Sequence, residues 1–169
     1  MVQAPSPPPS GVVDVTFLRP AVSDIEAVLA MLGRCSRATL FHRFHGFTDG
    51  RAYFEAQLRD LPVDQTLLAW RGSACVGAAT LGIGADGNLD LGLLVEDSCQ
   101  RQGIGTRLAA SLLEYVRANG VSTVHADALG DDEFILQALR RISPLKVTIE
   151  SGIFSIDIDL HRRQRRTRS

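Results

Sequence analysis

Val95-Glu-Asp-Ser-Cys-Gln-Arg-Gln-Gly-Ile-Gly-Thr-Arg107 decides how the chain is read. Leu89 to Val95, just before and into it, is apolar enough for a strand. Gly105 to Asn119, which continues it, carries Leu108, Leu112, Leu113 and Val116 at helical spacing. Between strand and helix lie seven mostly polar residues and Gly103-Ile-Gly105. A helix start presents N–H groups with no intrahelical acceptor and the positive end of the helix dipole. Glycines let the backbone approach an anion with no Cβ in the way. Successive N–H groups in such a turn make an anion-binding concavity. Gln100 and Arg101 add donors, and Arg101 adds charge. The stretch reads as a phosphate-binding strand–turn–helix.

Two kinds of phosphate ligand fit poorly. A nucleoside triphosphate loop needs Gly-Lys-Ser or Gly-Lys-Thr, which the chain lacks. A dinucleotide fold would find two glycines at Gly103 and Gly105 and an acidic residue at Asp127, but Leu108 stands where its third glycine belongs. The segment before the turn is also wrong for it. Gln65 to Trp70, Ala74 to Ile83 and Leu89 to Val95 read as an antiparallel meander, turning at Arg71-Gly-Ser and at Ala85-Asp-Gly-Asn88.

Further out, Val13 to Leu18 alternates like a strand and stops before Pro20. Ser23-Asp-Ile-Glu then opens an amphipathic helix, with Ser23 as its N-cap and Glu26 at the capping-box position. An aromatic stretch, Leu40 to Phe47, precedes a second helix over Asp49 to Leu58. After the glycine turn and its helix, Gly120 is a C-terminal cap and Ser122 to Ala128 a strand. Asp131-Asp132 precedes a helix to Ile142, and Lys146 to Ile149 with Gly152 to Ile158 close the fold as a hairpin. The predicted order is β-α-α-β-β-β-α-β-α-β-β, without internal repeats. The class is α/β (α+β), a mixed and mostly antiparallel central sheet flanked by helices.

At 169 residues, 45% apolar and 22% charged, the chain is an ordinary globular size and composition for one domain. That domain is expected over 12–160, behind a proline-rich disordered leader at 1–11 and ahead of a basic disordered tail at 161–169. Five arginines of the tail hide the charge of the rest, where 13 basic face 19 acidic residues, about −6. The tail reads as a solvated end, and no nucleic-acid partner is expected. Cys35, Cys75 and Cys99 are odd in number and lack metal-like or paired spacing. With no signal peptide and no membrane-length apolar run, the expectation is a cytoplasmic protein with no membrane partner; a homodimer is compatible with it.

Gln100-Arg-Gln-Gly-Ile-Gly105 matches the Q/R-x-x-G-x-G/A signature of the GCN5-related N-acetyltransferases at every fixed position. The element order from Val13 to Leu160 also resembles that superfamily. The resemblance implies acetyl-CoA as acyl donor. It places the pyrophosphate on the turn of Gln100, Arg101, Gln102, Gly103, Ile104, Gly105 and Thr106, and the pantetheine arm along Leu93, Leu94 and Val95. Two pantetheine amides mimic a short strand and dock into a gap in the sheet; the family has such a gap after this strand. Asp132 matches a position that contacts the cofactor in relatives, and equally suits a helix cap.

Acetyl transfer to an amine needs a proton acceptor and a donor for the oxyanion. Asp90, acidic inside the apolar strand Leu89 to Val95, is the candidate base, because burial raises a carboxylate. It falls where many relatives carry glutamate; the alternative is a solvent-facing residue leaving the hairpin. Many relatives carry a tyrosine acid on or after the last helix, where this chain offers Phe134, so the acid role has no residue. His125 and Asp127 share a strand face, and Asp127 is expected to draw a cationic amine. Leu40-Phe-His-Arg-Phe44 resembles a Tyr/Phe-x-Arg-Phe segment of bacterial protein lysine acetyltransferases. That implies Phe41, Arg43 and Phe44 as acceptor-site residues, with core packing as the alternative. No metal is expected at His42 and His45, which lack acidic or cysteine companions nearby in sequence. The predicted activity is acetyl transfer to a primary amine, either a protein lysine or a small amine; a non-catalytic acyl-CoA sensor is the alternative.

Overall fold

The computed structural model describes residues 15–60 and 65–161. The leader, Val13 at the head of the first expected strand, and the arginine tail beyond His161 lie outside the described residues. The strands are β1 (Thr16–Leu18), β2 (Thr66–Arg71), β3 (Ala74–Ile83), β4 (Leu89–Val95), β5 (Thr123–Leu129), β6 (Leu145–Glu150) and β7 (Ile153–Asp159). The helices are α1 (Ile25–Arg34), α2 (Arg37–Phe44), α3 (Arg51–Asp60), α4 (Ile104–Ala118) and α5 (Glu133–Arg140).

The expected mixed sheet is present, with seven strands in the order β1-β2-β3-β4-β5-β7-β6. Each neighbouring pair is antiparallel except β4 with β5. One face carries α4 and α5 over a core that includes Leu81, Leu91, Leu108, Leu113, Val124 and Ile156. The other carries α1 and α3 over Val28, Met31, Phe54, Leu68, Ala78 and Leu94. β3 runs between both cores, so it is buried from Cys75 to Leu81 without a polar face. Gly77 lets α4 settle there, since a Cβ would lie 3.1 Å from both Leu108 and the Leu94 carbonyl.

Two details differ from the sequence pattern. The aromatic stretch is the end of a helix, α2, one more than predicted. Ser36 caps it, its Oγ accepting from Thr39 N–H at 3.2 Å. Asp97, 61 residues on, accepts from Ser36 N–H at 2.9 Å and from Thr39 Oγ1 at 3.1 Å. His45 ends α2 in a left-handed conformation, φ 53°. At the start of α1, a 3-10 turn over Val22–Asp24 makes Asp24 the cap in place of Ser23, and Ala21 N–H donates to its Oδ2 at 2.7 Å.

The register between β4 and β5 is a single pair, Asp90 with His125. Beyond it the two strands part, and the β5-facing edge of β4 from Leu91 to Val95 has no strand beside it. Among the described residues no helix is long and apolar enough to cross a membrane.

Candidate active site

The parting of β4 from β5 opens a cleft of about 1180 Å³. Most of the residues singled out from the sequence line it: Arg43, Phe44, Asp90, Leu93, Leu94, Val95, Gln100, Arg101, Gly103, Ile104, Gly105, Thr106, Asp127 and Asp132. Phe41 and Gln102 are not among its lining residues. The Phe41 ring packs on exposed Phe47, centroids 5.0 Å apart. The Gln102 side chain accepts from Arg71 at 2.8 Å and donates to the Ser98 carbonyl at 3.2 Å. Thr39, His42, Tyr53, Asp131 and Phe134 also line the cleft, although the sequence pattern assigned them no role there.

At one end sits the glycine turn. Arg101 and Gly103 both adopt left-handed conformations, φ 60° and 79°, which tip successive N–H groups toward one side. Arg107 N–H donates to the Gly103 carbonyl at 3.1 Å, the first such bond of α4. The N–H groups of Ile104, Gly105 and Thr106 therefore have no intrahelical acceptor. Arg101 lies over the exposed Phe134 ring at 4.7 Å, which holds its charge beside the turn. Gln100 is committed to the protein: its Nε2 donates to the Val95 carbonyl at 2.9 Å and to Thr39 at 3.1 Å. Glu96, buried at the end of β4, braces the same loop. Arg34 Nε meets it at 2.6 Å, Ser98 Oγ donates at 2.8 Å and the Cys99 thiol at 3.4 Å. Burial opposes its charge, but these hydrogen bonds and Arg34 hold it below the usual carboxylate range. The cysteines are poor nucleophiles where a shift is resolved: burial, chiefly, pushes the Cys35 and Cys75 thiols up to about 12.

The middle of the cleft is the face of β4 that carries Asp90 and Gly92. Asp90 Oδ1 is buried and has no hydrogen-bond partner. Burial raises its pKa above the ordinary 3.8; His125 pulls it down, while Asp127 and Asp86 push it further up. Gly84 opposite leaves room for this carboxylate, since a Cβ there would overlap Asp90 Oδ2. Gly92 is covered by the Arg43 guanidinium, which reaches in from α2 and donates to Thr80 Oγ1 at 2.9 Å. Asp90 and Arg43 thus meet on one face, although they are 47 positions apart in sequence.

Beside Asp90, His125 bonds through Nδ1 to Asp157 and through Nε2 to Asp127, each at 3.0 Å. Burial disfavours its charged form, but Asp157, Asp127 and Asp90 outweigh that and raise it above 6.5. The folded state thus binds this proton more tightly than the unfolded chain. The resulting stability is complete below pH 6.5 and fades as pH rises through the folded value. Melting temperatures of wild type and His125→Gln are expected to differ more at pH 6 than at pH 9. An equal gap at both would remove the charged pairing. Asp132 makes no side-chain cap bond to α5. Its carboxylate faces His42 Nδ1 at 3.5 Å, so α2 and the head of α5 approach across the cleft.

Comparison with known proteins bears on this geometry. A family model described as acetyltransferase (GNAT) family matches residues 35–136. No curated protein sequence matches the chain. Among solved structures, the GNAT domain of a Streptomyces lividans protein, PAT, is similar at TM-score 0.72 and 19% identity, covering 86% of this chain and 89% of that one. The yncA protein of Salmonella typhimurium, solved with acetyl-CoA as its cofactor, gives TM-score 0.66 at 16% identity over 89% and 96% of the two chains. A PaiA N-acetyltransferase of Thermoplasma acidophilum in complex with coenzyme A gives 0.64 at 13% over 86% and 99%.

Proposed function

The chain belongs to the acetyltransferase (GNAT) family, and on that premise we propose that it moves an acetyl group from acetyl-CoA to a primary amine by direct attack in a ternary complex. One observation carries the proposal. A helix-start anion turn, a strand edge with no neighbouring strand among the described residues, and a carboxylate whose buried Oδ1 has no hydrogen-bond partner follow one another along a single cleft. Acetyl-CoA is the donor by analogy with the acetyl-CoA and coenzyme A held by the yncA and PaiA structures.

In this scheme the pyrophosphate rests on the N–H groups of the turn from Arg101 to Thr106, with Arg101 adding charge. The pantetheine amides pair with the strandless edge of β4 at Leu93 to Val95, where the Val95 carbonyl also accepts from Gln100 Nε2. The thioester carbonyl then lies toward the middle of β4, and a backbone N–H on that edge steadies the oxyanion. Asp90 takes the proton of the attacking amine, directly or through one water, and burial shifts it toward a stronger base. The C–S bond breaks, the nitrogen gives up its second proton to water, and the coenzyme A thiolate leaves and takes a proton back from water. Asp127 lies beside this position with His125 and adds negative charge that attracts a cationic amine.

Calorimetry with acetyl-CoA and a thiol-release assay over a panel of amines test this. Acetyl-CoA should bind and at least one amine should release thiol. Failure to bind acetyl-CoA would remove the proposal outright. Tight binding with no turnover for any amine would favour an acyl-CoA sensor.

A further inference from the structure

Arg43 is a cation held in a cleft whose floor is cleared for it at Gly92. Among the described residues no carboxylate pairs with it. One hydrogen bond is made, from Nη2 to Thr80 Oγ1 at 2.9 Å. The guanidinium lies 4.9 Å from the Phe44 ring centroid and 4.8 Å from that of Tyr53. The Tyr53 hydroxyl in turn meets Thr80 Oγ1 at 2.9 Å and accepts from Gln57 Nε2 at 2.9 Å. Two rings and a hydrogen-bonded series from Gln57 through Tyr53 and Thr80 therefore fix the group in place. Any side chain on Gly92 would collide with it.

Ring faces ease the charge of a guanidinium but leave its N–H donors unused. A half-buried, pre-positioned arginine with spare donors suits a carboxylate, whose two oxygens match the guanidinium fork. Within the protein that carboxylate is not Asp90. Among the described residues no ion pair joins the two, and Asp90 Oδ1 accepts no hydrogen bond. Asp90 lies two residues from Gly92 on the same face of β4, so their Cα atoms are about 7 Å apart. The cleft offers a proton acceptor and, a few bonds' length along the strand, a free cation.

We propose that Arg43 selects the acceptor by binding a carboxylate carried by the same small molecule as the reacting amine, several bonds away from it. This rests on the acetyl-transfer reading for the role of Asp90. It turns the acceptor into an ω-amino acid class of substrate rather than a plain amine or a lysine within a neutral peptide.

The test uses the full chain saturated with coenzyme A and measures binding of 5-aminovalerate and of 5-aminovaleramide, equal in length but uncharged at that end. Wild type is expected to bind the acid more tightly by about tenfold or more, the usual scale for a charge-assisted hydrogen-bonded pair. Arg43→Gln should bring the ratio close to one, and Arg43→Lys should keep part of it. With acetyl-CoA present, thiol release should follow the same order in kcat/KM. The assignment is overturned if wild type binds neither compound, or binds the amide as well as the acid. It is equally overturned if the preference survives Arg43→Gln, or if an end-blocked lysyl peptide with neutral flanks outcompetes both. The wild-type ratio decides the matter even where a variant fails to fold. Discrimination between acid and amide without thiol release would overturn Arg43 as selector of an acetyl acceptor, leaving it a carboxylate-binding residue only, while acetyl transfer itself is decided by the amine panel.

Discussion

Asp90→Asn is expected to lower kcat by about 10²–10³-fold, the range of a positioned general base, while the protein folds and becomes more stable. Asparagine keeps the shape of the side chain and removes its basicity. The stability gain follows from the direction of the pKa shift. Because burial raises Asp90, the folded state holds its proton more tightly than the unfolded chain, so ionising it weakens the fold as pH rises past the ordinary 3.8. A neutral amide removes that penalty, as often happens where a site is strained for its chemistry. The pH profile supplies a second readout. Wild-type kcat/KM should rise with pH as Asp90 loses its proton, and the variant should lack that limb. Turnover equal to wild type would take the base role away from Asp90. A fall in turnover together with a fall in melting temperature would mark the residue as structural.

Gly105→Asp is expected to weaken acetyl-CoA binding by about 10²-fold or more, as hydrogen bonds to charged groups are lost and two like charges meet. The fold should tolerate the change. A Cβ at this position would lie 3.6 Å from Val95 Cγ2, an ordinary contact. Aspartate in the first turn of α4 also favours the helix dipole by about 0.3–1 kcal/mol. The same carboxylate would occupy the anion site on which the proposed pyrophosphate contact rests. Calorimetry with acetyl-CoA measures the loss. S-acetyl-N-acetylcysteamine, a donor without pyrophosphate, should lose far less in the thiol-release assay. If acetyl-CoA binds the variant as it binds wild type, the pyrophosphate does not rest on this turn.

Much of the end of the cleft proposed for the donor was legible in the chain. Gly103 and Gly105, the apolar strand before them and the amphipathic helix after them are neighbours in sequence. Their roles follow from backbone freedom and periodicity within one segment. Even there the side chains were less readable than the backbone. Gln100, expected as a donor to the ligand, spends its amide on Val95 and Thr39. Gln102 turns away to Arg71 and Ser98. Asp132, for which a helix cap was one expectation, faces His42 instead.

α2 was missed because the residues that stabilise its start are distant in sequence. Leu40, Phe41 and Phe44 have helical spacing, but three positions in one short segment are too few to mark a helix, and of its residues only Leu40 is buried. What secures its first turn is Asp97, which arrives from the far side of the meander. With α2 out of view, the position of Arg43 over Gly92 was out of view too.

Local chemistry alone settled the strand–turn–helix at Val95 to Arg107, the three-stranded meander before it and the mixed class of sheet. Turns, caps and periods of two or 3.6 act over a few residues. The arrangement proposed as the acceptor half exists only in the assembled fold. The divergence of β4 from β5 after Asp90 and His125, the burial of Asp90 Oδ1 without a partner, and the placement of the Arg43 guanidinium over Gly92 arise from contacts between segments tens of residues apart. Burial and pairing are properties of those contacts, and no single stretch of chain contains them.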